Sequence, residues 1–286
     1  MRGLLPRCLT ACPGLLCATV SLALAACETN PYTGRSQFVV IPASQEMAMG
    51  AQAYEQVLHD PKMPQSHDPR EVEPVKRVAA RIIEAAKQSK YADTANKFEW
   101  EVTVIKDDKT LNAFALPGGK IAVYTGIFPV AKNEAGLAAI LGHEVTHALA
   151  RHGAERMSQG LAAQIGVAAL SIGAASQGYD PQIAQLAGGA LAQYGVILPF
   201  SRAHESEADH VGLLLAAQAG YDPHEAVHVW ERMEQFSKGQ PPEFLSTHPG
   251  HGTRIKQLEE WMPEAEAYYH PQSGFHAADL PALAPR

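Results

Sequence analysis

The sequence predicts an α+β fold, mainly helical, with a small antiparallel sheet packed beside a helix that carries an H-E-x-x-H element. Apolar residues recur at three- and four-residue spacing over most of the chain beyond residue 68. Asp-Pro pairs at 68–69 and 222–223 mark helix starts, and the segments near residues 100 and 121 read as strands.

Composition sets the class. The 286 residues are 46% hydrophobic and 19% charged, ordinary for a globular chain of one or two domains. The net charge is −7, and no basic cluster interleaved with aromatics is present, so nucleic acid is not expected as a partner.

At the amino terminus, Arg2 and Arg7 precede an apolar stretch, Leu15 to Ala26, that ends in small residues. This reads as a secretory signal, 1–26. Leu24-Ala25-Ala26-Cys27 resembles the bacterial lipobox, in which the Cys is diacylated. Cys27 is accordingly the expected site of lipidation and membrane anchoring, in the periplasm, with Glu28 favouring the outer membrane. Cys8, Cys12 and Cys17 fall within the removed segment, so no disulfide is expected. The polar stretch that follows suits a tether over 27–37, with ordered structure starting near Phe38.

Asp68-Pro69-Arg70-Glu71 has the form of a helix start, and Val72, Val75, Val78, Ala79, Ile82 and Ile83 continue it at helical spacing. Trp100, Val102 and Val104 alternate with Glu101 and Thr103 as in a half-buried strand. A second strand, Ile121 to Tyr124, follows a Leu116-Pro117-Gly118-Gly119 turn. From Glu134 the apolar pattern runs through Leu137, Ile140, Leu141, Val145 and Leu149 until Gly153 interrupts it. Leu161 to Ala192 is rich in Ala and Gly and poor in charge. A membrane hairpin is one reading; the break at Gly178-Tyr179-Asp180-Pro181 and the short halves favour tight packing of soluble helices. Further helices are expected from near Arg202, from Asp222-Pro223-His224-Glu225, and around Ile255 to Trp261, the last after a Pro- and Gly-rich connection from Gly239 to Gly252. A domain over 38–262 then leaves 263–286 as a poorly ordered tail.

His143 and His147, four apart on a helix, project from one face and can reach one zinc ion, with Glu144 beside them. Burying two imidazoles and a carboxylate beside Ile140 and Leu149 is costly without a partner such as a metal. A catalytic zinc needs a third protein ligand, and the best candidate is Glu205. Asp209 shares its helix face and can orient a ligand His, whereas Glu207 points roughly 200° away and should matter little to the metal.

His143-Glu144-Val145-Thr146-His147 together with Glu205-Ser206-Glu207-Ala208-Asp209 resembles the gluzincin peptidase family of HtpX, the CAAX prenyl endopeptidases and the BepA-like and LoiP-like periplasmic proteases. Asn112 to Gly119 and Thr247-His248-Pro249, with Arg254 beyond, add to the likeness, which covers roughly 30–262. It implies one Zn2+ held by His143, His147 and Glu205, with Glu144 as general base. Asp209 would orient His143 or assist proton transfer, and His248 would stabilise the oxyanion or approach the metal. The segment from Lys120 to Tyr124 would offer its edge to an extended substrate. The expected function is a zinc endopeptidase of the bacterial envelope acting on misfolded or misassembled envelope proteins, the alternative being a catalytically silent chaperone or assembly factor.

Overall fold

The computed structural model describes residues 27–193, 198–236, 244, 248, 253–270 and 276–282. The proposed leader, the side chain of Cys27 and most of the 239–252 connection lie outside the described residues.

Strands β1 (Cys27–Thr29) and β2 (Ser36–Phe38) pair antiparallel. The stretch read as a tether is therefore a hairpin, and charge holds it down. Arg35 reaches Glu155 at 2.7 Å and Glu207 at 2.8 Å, while Thr33 donates to Glu207 at 2.6 Å. Both carboxylates are buried and more than 100 residues away in sequence, which no local pattern reveals.

Helix α1 (Ala43–His59) is followed by α2 (Pro69–Lys87), which begins where Asp68 accepts from the Arg70 N–H at 2.9 Å. Its Val75, Val78, Ala79 and Ile82 are fully buried. A short turn of helix, α3 (Ala92–Ala95), leads to β3 (Glu101–Ile105), β4 (Ala113–Leu116) and β5 (Lys120–Tyr124). The strand order is β3-β5-β4. β5 runs antiparallel to β4 but parallel to β3, so the sheet is mixed rather than wholly antiparallel. The reason lies in burial: every residue of β5 is buried, which gives it the interior place and leaves β4 outside.

Helix α4 (Phe128–Ala131) precedes α5 (Glu134–Leu149), the central helix of the fold, capped where Asn133 accepts from the Gly136 N–H at 2.9 Å. Helix α5 packs against α2, α4 and β4 through Leu137, Leu141 and Val145. It ends before Gly153, at Arg151, which turns the chain with φ 57°. This uncommon conformation for a non-glycine residue is offset by side-chain bonds from Arg151 to Glu46 and to the Ile41 carbonyl, each at 2.7 Å.

Helices α6 (His152–Ser176) and α7 (Pro181–Ala192) form an antiparallel hairpin. They pack on each other where Gly188 admits Val167 and Leu170, but beyond Gln159 nothing among the described residues covers their outer faces. Burial in tight helix packing, the expectation for 161–192, is thus corrected: the small residues serve the hairpin's own seam and the rest stays open.

Helix α8 (Leu198–Gln218) starts ahead of Arg202 and lies along α5. Helix α9 (His224–Phe236) follows Asp222, which accepts from the His224 N–H at 3.0 Å. Helix α10 (Arg254–Tyr268) passes through Pro263, well beyond the expected end at Trp261. Burial of Met262 and Ala265 outweighs the single helical bond that proline forfeits. The segment after it is pinned too, because Leu280 is buried and its N–H donates to the Lys132 carbonyl at 2.9 Å.

Candidate metal centre

Two glycines set the site. A Cβ on Gly212 of α8 would sit 2.6 Å from the His143 nitrogen, and one on Gly142 of α5 would sit 2.5 Å from the Gly212 oxygen. The two helices therefore touch backbone to backbone beside His143. That contact brings Glu205 and Asp209 of α8 onto the imidazoles of α5. The signal in the sequence is a glycine inside each of two helical patterns, Gly142 and Gly212, and sequence reasoning missed it.

The side chains converge on one point. His143 Nε2 lies 3.1 Å from His147 Nε2 and 3.1 Å from His248 Nδ1. Glu205 Oε2 is 3.4 Å from His143 Nε2 and 3.0 Å from His248 Nδ1, and its Oε1 is 3.5 Å from His147 Nε2. One donor atom from each of His143, His147, Glu205 and His248 falls within 4.8 Å of the others. Imidazole nitrogens with a carboxylate oxygen at such spacing fit a tetrahedral zinc ion.

The surroundings aim these lone pairs inward. Asp209 Oδ1 lies 2.9 Å from His143 Nδ1, so the ring proton sits there and Nε2 is left as the acceptor. Arg254 clamps Asp209 at 2.6 and 2.8 Å, reaches Glu205 at 3.0 Å and rests over the Trp230 ring at 3.8 Å. Burial opposes the Asp209 charge, but Arg254 and His143 outweigh it and hold the carboxyl below its usual range. Burial likewise opposes charge on Glu205, and His147, His143 and His248 hold it low. Burial disfavours a proton on His143, yet Asp209 and Glu205 raise its pKa to about 9. A cavity that attracts a proton so strongly also attracts a cation.

A second support was missed by sequence reading. His152 Nδ1 is 2.9 Å from His147 Nδ1, and His152 Nε2 is 3.1 Å from Glu207 Oε2. Burial lowers the His152 pKa to about 4 despite Glu207, so the ring is neutral. Burial opposes the Glu207 charge, but His152 and Arg35 bring its pKa to about 2. An ionised Glu207 accepts a hydrogen bond from the Nε2–H of His152, whose Nδ1 then accepts from His147 Nδ1–H. The lone pair of His147 is thereby left on Nε2, facing the other ligand atoms. Glu207 does point away from Glu205, but it acts on the same site by this route.

Glu144 is buried beside the cluster, its Oε1 3.4 Å from His248 Nε2 and 4.0 Å from His143 Nε2, and that oxygen has no hydrogen-bond partner among the described residues. Burial raises its pKa. A cleft of about 430 Å³ opens over Glu144, His147 and His248, with Ala115, Leu116 and Pro117 on one wall. Those wall residues correct the expected substrate edge: β5 lies inside the sheet with both edges paired, and β4 pairs with β5 alone among the described residues.

The model of peptidase family M48 matches residues 69–262. The chain is 38% identical to the mitochondrial metalloendopeptidase OMA1 of Schizosaccharomyces pombe, covering 87% of this chain and 70% of that one. The OMA1 metalloendopeptidase of Homo sapiens is 34% identical over 83% of this chain, which spans 46% of its length. A β-barrel assembly-enhancing protease of Yersinia pestis matches at 28% over 81% of the chain and 47% of its own. The mitochondrial names overturn the reading of a bacterial envelope enzyme, with its periplasmic and outer-membrane location, acting on envelope proteins. The leader residues could not discriminate, because two arginines, no acidic residue and an apolar run suit more than one export route.

Proposed function

The chain belongs to peptidase family M48 and is a zinc metalloendopeptidase, and from that premise we propose how its residues divide the work. His143, His147 and Glu205 hold the zinc. The observation that carries this is the convergence of their donor atoms within 4.8 Å beside a buried Glu144. Zinc, when bound, supplies Lewis acidity that polarises a carbonyl and acidifies water. Glu144 accepts the proton of the attacking water and hands it to the departing amine. Burial raises its pKa, which favours its holding the proton between the two transfers. Asp209 and His152 fix the tautomers of His143 and His147, and Arg254 keeps Asp209 ionised.

Protein substrates enter as extended chain. The far edge of β4, unpaired among the described residues, offers backbone groups, and its last residues lead into the cleft wall at Ala115, Leu116 and Pro117. The apolar cleft, with Met49, Ala53 and Met157 also on its lining, favours apolar side chains next to the scissile bond. Casein cleavage by the zinc-loaded chain, lost in Glu144→Gln, tests the assignment. A persistent activity in that variant would remove Glu144 from the role.

His248 takes the fourth position at rest. Its Nδ1 lies as close to His143 Nε2 and Glu205 as a shared ion requires. In that position it excludes substrate until it withdraws.

A further inference from the structure

Helix α1 abuts the end of β4: a Cβ on Gly50 would collide with the Pro117 carbonyl, so helix and strand touch backbone to backbone there. Beyond that contact a hollow of about 400 Å³ opens between them. Ala53 and Leu116 line both this hollow and the cleft over Glu144, so the two spaces join into one groove. Its α1 wall carries Met49, Ala53 and Val57 at four-residue spacing and ends at Asp60. From Met49 to Asp60 that wall runs about 16 Å, room for roughly five residues of extended chain. The side chains of the hollow are held in place. Tyr124 donates to Met63 Sδ at 3.7 Å, the Phe114 and Tyr124 rings lie 6.3 Å apart, and Val57, Met63 and Phe114 pack half-buried on Ile105 and Ala122. The far end of the groove therefore presents fixed apolar surface, with a thioether and an aromatic ring on its walls.

We propose that this hollow is a distal subsite that takes one large apolar side chain of the substrate, aromatic in preference to aliphatic. The inference rests on the cleft being the proteolytic site and on substrate pairing with β4. Phe114 and Leu116 face the same side of β4, about 7 Å apart, and a strand laid along that edge repeats the alternation. A substrate side chain beside Leu116 thus has its next same-face neighbour over Phe114 and the hollow. A ring placed there meets the Phe114 ring and the Met63 sulfur, contacts that an aliphatic side chain does not reproduce. Continuity with the cleft and the length of the wall make the occupant the substrate chain itself.

The test uses the full chain in two measurements. In the first, the zinc-loaded chain cuts a peptide library and the products are read by mass spectrometry. An aromatic residue roughly two to five positions from the cut, on one side only, should raise kcat/KM roughly tenfold over glycine there, mainly through KM. Gln56 is exposed at the rim, and Gln56→Trp fills the hollow and should bring that ratio near one. In the second, the Glu144→Gln chain is irradiated with the same peptide carrying benzoylphenylalanine at that position. Adducts are expected on residues 53–63 and 114–116, in chelator as well as in zinc. A preference confined to residues beside the cut, a distal preference that Gln56→Trp leaves intact, or adducts elsewhere on the chain would overturn the proposal. If no peptide is cut at all, the active-site reading fails instead, and the adduct map still decides the subsite.

Discussion

His152 Nδ1 lies 2.9 Å from His147 Nδ1, so one ring of the candidate zinc site is oriented by another imidazole rather than by a carboxylate. Glu207, anchored by Arg35 and Thr33, fixes that second imidazole in turn. Glu207→Ala should therefore weaken zinc binding by roughly 10- to 100-fold, the usual cost of losing an outer-shell partner. Competition titration against a chelator checks it. Unchanged affinity would return Glu207 to a purely structural place beside the β1–β2 hairpin.

His152 also gives a pH dependence. Its pKa falls from 6.5 to about 4 on folding, so between those values the unfolded chain binds a proton that the folded chain refuses. Stability from this residue is complete above about 6.5 and is lost as pH drops toward 4. His147, also held low by burial, adds a slope of the same sign. Melting temperatures taken in chelator over that window should fall with pH, and less steeply in His152→Gln. Parallel curves for the two would remove His152 from the account.

Gly212→Ala should separate α5 from α8. The added Cβ meets the backbone of His143 at 2.6 Å, and neither helix can yield without moving a ligand. A loss of about 1–3 kcal/mol in urea denaturation is expected, together with weaker zinc binding. Wild-type stability would show that the helices are not locked at this contact.

His248→Ala should raise basal cleavage of an unfolded substrate, because the resting fourth ligand is gone. A fall of roughly a hundredfold would assign the residue to the oxyanion instead. Unchanged kinetics and zinc binding would leave it neither role.

Local periodicity carried much of the fold. The Asp68-Pro69 start of α2 and the helix bearing His143, Glu144 and His147 follow from spacing and caps, because both are short-range effects. The spacing of four between Glu205 and Asp209 likewise places both on one side of α8, where both meet Arg254. What escaped depends on distant partners. Thr33 and Arg35 look like linker residues until Glu155 and Glu207 arrive from other helices. Strand order is invisible to alternation, so alternation alone cannot show that β5 lies between β3 and β4. The α6–α7 hairpin has the composition of packed helices, and only its exposure shows that none of the described residues covers its outer faces.

The central claim is that this chain is a zinc peptidase whose base, Glu144, is not a ligand. Zinc content and casein cleavage, measured together on wild type and on Glu144→Gln, test it most directly. The account predicts about one equivalent of zinc in both proteins and cleavage in the wild type alone. Loss of zinc from Glu144→Gln, or cleavage that survives the substitution, would contradict it.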